Sequence, residues 1–148
     1  MLLEKNEWDS ELVSYYENGN IKSKILEKIN DDNKRYILIL KWNDNSFLIN
    51  QKWLKNGKKH KKNGPAYITY DNLGQIITEN WYKNGKLHRE NGPTVIHYDI
   101  NKIRMIEIWY KNGRLYRDDG PVIIHRNKDN IITKKRFCNK NVEKELDN

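Results

Sequence analysis

The sequence predicts an all-β fold, an antiparallel meander built from 28-residue repeats. Three observations carry this. Trp53, Trp81 and Trp109 stand 28 residues apart, and a fixed period of that length marks stacked supersecondary units. Around each tryptophan one phrase recurs: WLKNGKKHKKNGPAYITYD, then WYKNGKLHRENGPTVIHYD, then WYKNGRLYRDDGPVIIHRN. Its Asn-Gly step signals a tight hairpin, because both central residues of that turn take positive φ. Finally, the 148 residues are only 36% hydrophobic and 32% charged, yet include five Trp and nine Tyr. Aromatic side chains bury a large area each, so a thin, one-layer sheet reconciles a polar chain with an ordered one.

The elements follow in order. Asp9 and Ser10 are placed to cap a short N-terminal helix over SELVSYYENG, with Leu12, Val13 and Tyr16 on its apolar side. YYENG, from Tyr15, also matches WYKNG, so residues 1–35 read as a degenerate N-terminal repeat or cap with a ten-residue insertion in ILEKINDDNK. RYILILKW, rich in β-branched and aromatic residues, is a strand. NDNS is a turn, and core repeats occupy residues 36–136. Within the third unit, residues 103–110 read as one strand, 111–113 as the hairpin turn and 114–117 as the start of the return strand. Asp119, Gly120 and Pro121 interrupt that strand, since proline donates no backbone hydrogen bond and glycine tolerates a bulge. Residues 122–126 continue it, and NKDN turns the chain again. Two strands per repeat make about eight in all.

Positions below are counted from the tryptophan of each repeat. Alternation puts +13 (Ala66, Thr94, Val122), +15 (Ile68, Ile96, Ile124) and +17 (Tyr70, Tyr98, Arg126) on one face. With the tryptophans they form an apolar spine. Residues 137–148 read as a truncated repeat, FCNKN, and a frayed or helical tail that caps an open edge. The whole chain reads as one domain.

WYKNGKLHRENGPT and WYKNGRLYRDDGPV resemble the MORN-variant repeats of bacterial antitoxin-like, phage and giant-virus proteins. The resemblance covers residues 36–142, with Leu54 in place of Tyr and Tyr116 in place of His. It implies an elongated, twisted antiparallel β-sheet used as a binding or scaffolding surface, with membrane, cytoskeletal or dimer-forming roles among related repeats. It brings no catalytic residues and no cofactor.

The function expected is a non-enzymatic protein-interaction module. Its candidate protein-binding residues are Trp53, Trp81, Tyr82, Trp109 and Tyr110, since aromatic ladders make good hot spots. A second copy covering the open face, giving a homodimer, is an alternative occupant. The other reading is an anion-binding module for nucleic acid or acidic lipid. It rests on the net charge of +8 and on nine in-phase cations near the hairpin: Lys55, Lys83 and Lys111 at +2, Lys58, Lys86 and Arg114 at +5, and Lys61, Arg89 and Arg117 at +8. Glu90, Asp118 and Asp119 partly cancel that stripe.

The histidine pairs His60/His88 and His97/His125 repeat about 10 Å apart, too far to close on one zinc. The carboxylate pairs Glu79/Glu107 and Glu90/Asp118 read as solvated or salt-bridged ladders. Cys138, the only cysteine, reads as a partly buried strand residue and excludes an intrachain disulfide. MLLEKNEWD turns charged without an apolar signal region, and no apolar run reaches membrane-spanning length. A cytoplasmic protein is expected, in the host cytoplasm or virion if viral.

Overall fold

The computed structural model describes residues 8–138 and 143–147. In chain order the strands are β1 (Ser10–Tyr15), β2 (Ile21–Ile29), β3 (Arg35–Trp42), β4 (Leu48–Lys55), β5 (Lys58–Lys59), β6 (Tyr67–Tyr70), β7 (Ile76–Asn80) and β8 (Tyr82–Lys83). They continue as β9 (Lys86–Leu87), β10 (Val95–Tyr98), β11 (Arg104–Ile108), β12 (Tyr110–Lys111), β13 (Arg114–Leu115), β14 (Ile123–Arg126), β15 (Ile132–Cys138) and β16 (Glu143–Asp147). Twelve form one antiparallel sheet, in the order β1-β2-β3-β4-β6-β7-β10-β11-β14-β15-β16 with β5 pairing β4. The pairs β8-β9 and β12-β13 stand apart as two small hairpins. Among the described residues there is no helix.

The all-β meander expected from the repeat is present, with more strands than two per unit. The difference lies at the tryptophan. The strand expected over residues 103–110 is broken at Trp109, with β11 before it in the main sheet and β12 after it in a hairpin tip. The Trp109 N–H donates to the Val122 carbonyl in the main sheet (2.9 Å), while its own carbonyl accepts from the Tyr116 N–H in the tip (3.1 Å). Trp81 does the same with Thr94 and His88. Each of these tryptophans thus marks the point where the chain leaves one sheet for the next.

The N-terminal segment departs further from expectation. SELVSY is the strand β1, in register with β2 from Ser10↔Glu27 to Tyr15↔Ile21, and not a helix. Pairing across a whole edge satisfies more backbone groups than a two-turn helix, whose terminal groups stay orphaned. Leu12 is accordingly exposed. YYENG is a turn, but the Tyr16 N–H to Asn20 carbonyl bond mirrors the Asn43–Phe47 and Asp71–Gln75 turns, at the end opposite the Asn-Gly tips. The WYKNG match therefore placed it at the wrong end of the hairpin. The ILEKINDDNK segment lengthens an unbroken β2-β3 ladder, from Ser23↔Lys41 to Ile29↔Arg35.

At the C-terminus, residues 143–147 pair with β15 as a strand, Phe137↔Lys144 among them, where a frayed or helical tail was expected. Residues 139–142, the rest of the expected truncated unit, lie outside the described residues. Cys138 is exposed, correcting the expectation of partial burial, because it sits at the end of its strand.

Strand register sorts the core. One row across the sheet runs Gln51↔Ile68↔Glu79↔Ile96↔Glu107↔Ile124↔Lys135, so the +15 isoleucines alternate with polar side chains. The residues at +13 and +15 are all buried, as the spine required. The +17 side chains lean back over the polar ones: the Tyr70 hydroxyl donates to Gln51 (3.1 Å), the Tyr98 hydroxyl to Glu79 (3.1 Å), and Arg126 to Glu107. Where each return strand ends, Asn43, Asp71, Asp99 or Asn127 closes the turn by accepting two backbone N–H groups on its side-chain oxygen.

This packing separates residues that the composition treats alike. Ile96→Ala, at a side chain 1% exposed, should cost about 2–5 kcal/mol in urea unfolding. Ile77→Ala, at an extra residue of a strand bulge, should cost under about 0.5 kcal/mol.

Candidate functional site

The tips stack in chain order beside the main sheet. The Asn-Gly step turns each tip, with positive φ at Asn56, Asn84 and Asn112 and at the glycine after each. The turn glycine then reaches the preceding unit: the Gly85 N–H donates to the Lys59 carbonyl and the Gly113 N–H to the Leu87 carbonyl, both at 2.8 Å. The +7 histidines reinforce the same contact. His60 Nδ1 accepts from the Asn84 N–H (3.1 Å), and His88 Nδ1 from the Asn112 N–H (3.2 Å). With Nδ1 accepting, the His88 ring presents its Nε2–H, which donates to Glu90 (2.9 Å). That bond, followed by Lys83 at 3.0 Å, lowers the Glu90 carboxyl to about 2. Burial, then Lys55 and Lys83, lowers His60 from its ordinary value.

The expected stripe of nine cations divides into three kinds. The +8 residues fold back onto their own tryptophans: Lys61 Nζ lies 4.6 Å from the Trp53 ring centroid, Arg89 Cζ 3.8 Å from Trp81, and Arg117 Cζ 4.2 Å from Trp109. Arg89 and Arg117 also donate to the carbonyls of Pro93 (3.0 Å) and Pro121 (3.3 Å). The +11 glycine closes the clamp, since a Cβ at Gly64, Gly92 or Gly120 would sit 3.1–3.2 Å from the cation's side chain. Desolvation in this clamp lowers Lys61 and Arg89 from their ordinary values. The +2 lysines are engaged as well, Lys55 over the Tyr36 ring (5.5 Å), Lys83 with Glu90, and Lys111 with Asp118 (3.7 Å). Lys58, Lys86 and Arg114 at +5 are exposed, and none pairs with a carboxylate among the described residues.

The expected protein-binding aromatics divide too. Trp53, Trp81 and Trp109 are half-buried, each with a cation over its ring. Trp8, which the sequence reading passed over, packs against Trp53 with ring centroids 5.8 Å apart. Tyr82 lies under the Lys59 ammonium (4.7 Å), and the Tyr110 N–H donates to the Thr94 hydroxyl (2.8 Å).

Between successive tips lie two equivalent open hollows. The first, about 510 Å³, is lined by His60, Lys62, Trp81, Tyr82, Lys83 and Glu90 among others. The second, about 520 Å³, presents Asn91, Trp109, Tyr110, Lys111, Tyr116 and Asp118 one repeat later. The first carries excess positive charge; in the second, Arg89, Lys111 and Arg117 face Glu90, Asp118 and Asp119. The inter-tip linkers were missed as functional elements, though the +7 histidines and +4 glycines were visible in phase.

His97 and His125 face Ile106 from strands on either side of it. Among the described residues no group of three or more His, Cys, Asp or Glu side chains is placed to hold a metal ion, and no helix is long and apolar enough to cross a membrane. Comparison with protein-family models, with curated proteins and with solved structures finds no match.

The histidine linkage has a pH signature. A folded-state value depressed below the unfolded one means that the His60 contribution is complete above about 6.5 and is lost as pH falls through the folded value. Unfolding free energy measured from pH 7.5 to pH 5 should therefore fall more steeply for the wild type than for His60→Gln. Equal slopes would remove His60 from the linkage.

Proposed function

We propose that the chain is a non-enzymatic interaction module of the MORN-repeat type, which binds a protein through its row of hairpin tips. The observation that carries this reading is the pair of hollows repeated between tips. Each offers an aromatic wall from Trp and Tyr and charges of both signs, the mixture that protein interfaces use for anchoring and orientation. The tryptophans support the wall, and Tyr82 and Tyr110 are the residues that contact the partner. The viral and antitoxin-like settings belong to this reading through the resemblance of the repeat phrase alone.

A second reading is favoured by Lys58, Lys86 and Arg114. Equivalent positions on successive units recur about every 10 Å, so these exposed cations form a short row that could follow an anionic polymer. The engagement of the other six candidates weakens this reading relative to the first.

Capture from host lysate separates the two. A stoichiometric protein should remain bound to the wild type after nuclease and be lost from Tyr82→Ser/Tyr110→Ser. The charge reversal Lys58→Glu/Lys86→Glu/Arg114→Glu should retain it. Loss on nuclease treatment, together with loss in the charge-reversed variant alone, would overturn the protein reading in favour of the polyanion.

A further inference from the structure

At the turn end of the strands, away from the tips, the units hold another repeated hollow. In the earlier unit it measures about 410 Å³ and is lined by Gly74, Gln75, Ile76, Tyr98 and Lys102. In the later one it measures about 400 Å³ and is lined by Lys102, Ile103, Arg104, Glu107, Arg126 and Asn130. The same architecture thus carries two different chemistries.

The difference comes from three departures from the repeat. At +17 the units carry Trp42, Tyr70 and Tyr98, then Arg126. At +23 they carry Leu48, Ile76 and Ile132, but Arg104. At +21 they carry Ser46, Gly74 and Asn130, but Lys102. Each departure introduces a cation, and all three line the same hollow. The +21 position is left-handed in every unit, and Lys102 adopts φ +63° there. That conformation is unfavourable for a lysine and easy for glycine or asparagine.

Glu107, 4% exposed, organises the cluster. One carboxylate oxygen accepts from Arg126 Nη1 and the other from Arg104 Nη1 (3.3 Å). Neutralising this carboxylate does not require three cations, since Glu79 one unit earlier is served by the Tyr98 hydroxyl. Three cations against one carboxylate leave two positive charges over. A guanidinium carries five N–H donors, so both arginines keep donors after bonding Glu107.

We propose that Lys102, Arg104 and Arg126 form a binding site for a dianionic phosphate group, with Glu107 positioning the two guanidinium groups. Paired arginines suit the geometry of phosphate oxygens, and the surplus charge matches a phosphate dianion. The site is independent of the tip hollows.

The full chain, labelled with ¹⁵N, would be titrated with inorganic phosphate, methyl phosphate and the monoanionic dimethyl phosphate. Saturable shifts at the Lys102 amide and the Arg104 and Arg126 Nε groups are expected for the first two ligands. Tighter methyl phosphate binding would assign the site to phosphate monoesters, and tighter inorganic phosphate binding to the free ion. The variant K102G/R104I/R126Y restores the residues of the preceding hollow and should weaken binding at least about tenfold. R104I alone, at a half-exposed side chain, should weaken it too, with an unchanged unfolding midpoint confirming the fold. Tyr82→Ser/Tyr110→Ser should bind phosphate as the wild type does, which separates this site from the tip reading. No saturable change up to ~10 mM phosphate, a range that covers millimolar affinities, would overturn the proposal. Equal binding of dimethyl phosphate, or wild-type affinity in the triple variant, would also do so.

Discussion

The structure depends on one residue per unit whose backbone N–H and carbonyl are bonded in two directions. At each full tryptophan the N–H belongs to the main sheet and the carbonyl to the hairpin tip. A strand that must serve two sheets needs an anchored corner, and the indole supplies it. The tryptophan backbone N–H donates to the carbonyl of the buried +13 residue of its own unit. The ring lies beneath a cation held in place by glycine and, in two units, by a proline carbonyl. Cation–π contacts contribute about 0.5–2 kcal/mol each, a small sum per unit. Repetition makes it a property of the whole array, since each unit rests on its neighbours. The recurring phrase WxxNG…GP is therefore one mechanical part: corner, tip turn and clamp.

Much of this architecture was legible in the residues. The period, the Asn-Gly tips and the inward face of Ile68, Ile96 and Ile124 all follow from alternation and turn chemistry. The strand break at tryptophan was not, because a β-rich run such as IRMIEIWY carries no local sign that its last two residues change sheets. YYENG misled for a related reason. A short turn phrase records the conformation of a turn and not the end of the hairpin at which it lies. One in-phase signal was overlooked, the Asn43, Asp71, Asp99, Asn127 series, whose side chains close the turns opposite the tips.

The basic stripe shows where spacing alone stops being informative. Nine cations in phase look equivalent, but three units of folded loop separate them by environment. A long cationic side chain can stack, pair or extend into water, and only the return of the loop over the tryptophan decides which. The candidate aromatics divide for the same reason. Each tryptophan spends a ring face on the +8 cation of its own unit, and Trp81 and Trp109 still border the hollows beside Tyr82 and Tyr110, whereas Trp53 lines neither. Departures from the repeat carry the complementary information. Lys102, Arg104 and Arg126 look like drift when read singly, and the strand register brings them together.

The bonds between tips also give the array a direction. The turn amides of the later tip donate to acceptors of the earlier unit: Asn56 to Arg35, Gly85 to Lys59, Gly113 to Leu87, and likewise Asn84 to His60 and Asn112 to His88, with the Arg35 N–H to Asn56 side-chain bond running the other way. A chain emerging from its N-terminus meets that asymmetry in the favourable order. The turn amides of every new tip find their acceptors already in place. The repeat is thus suited to vectorial assembly, one unit serving as the template for the next.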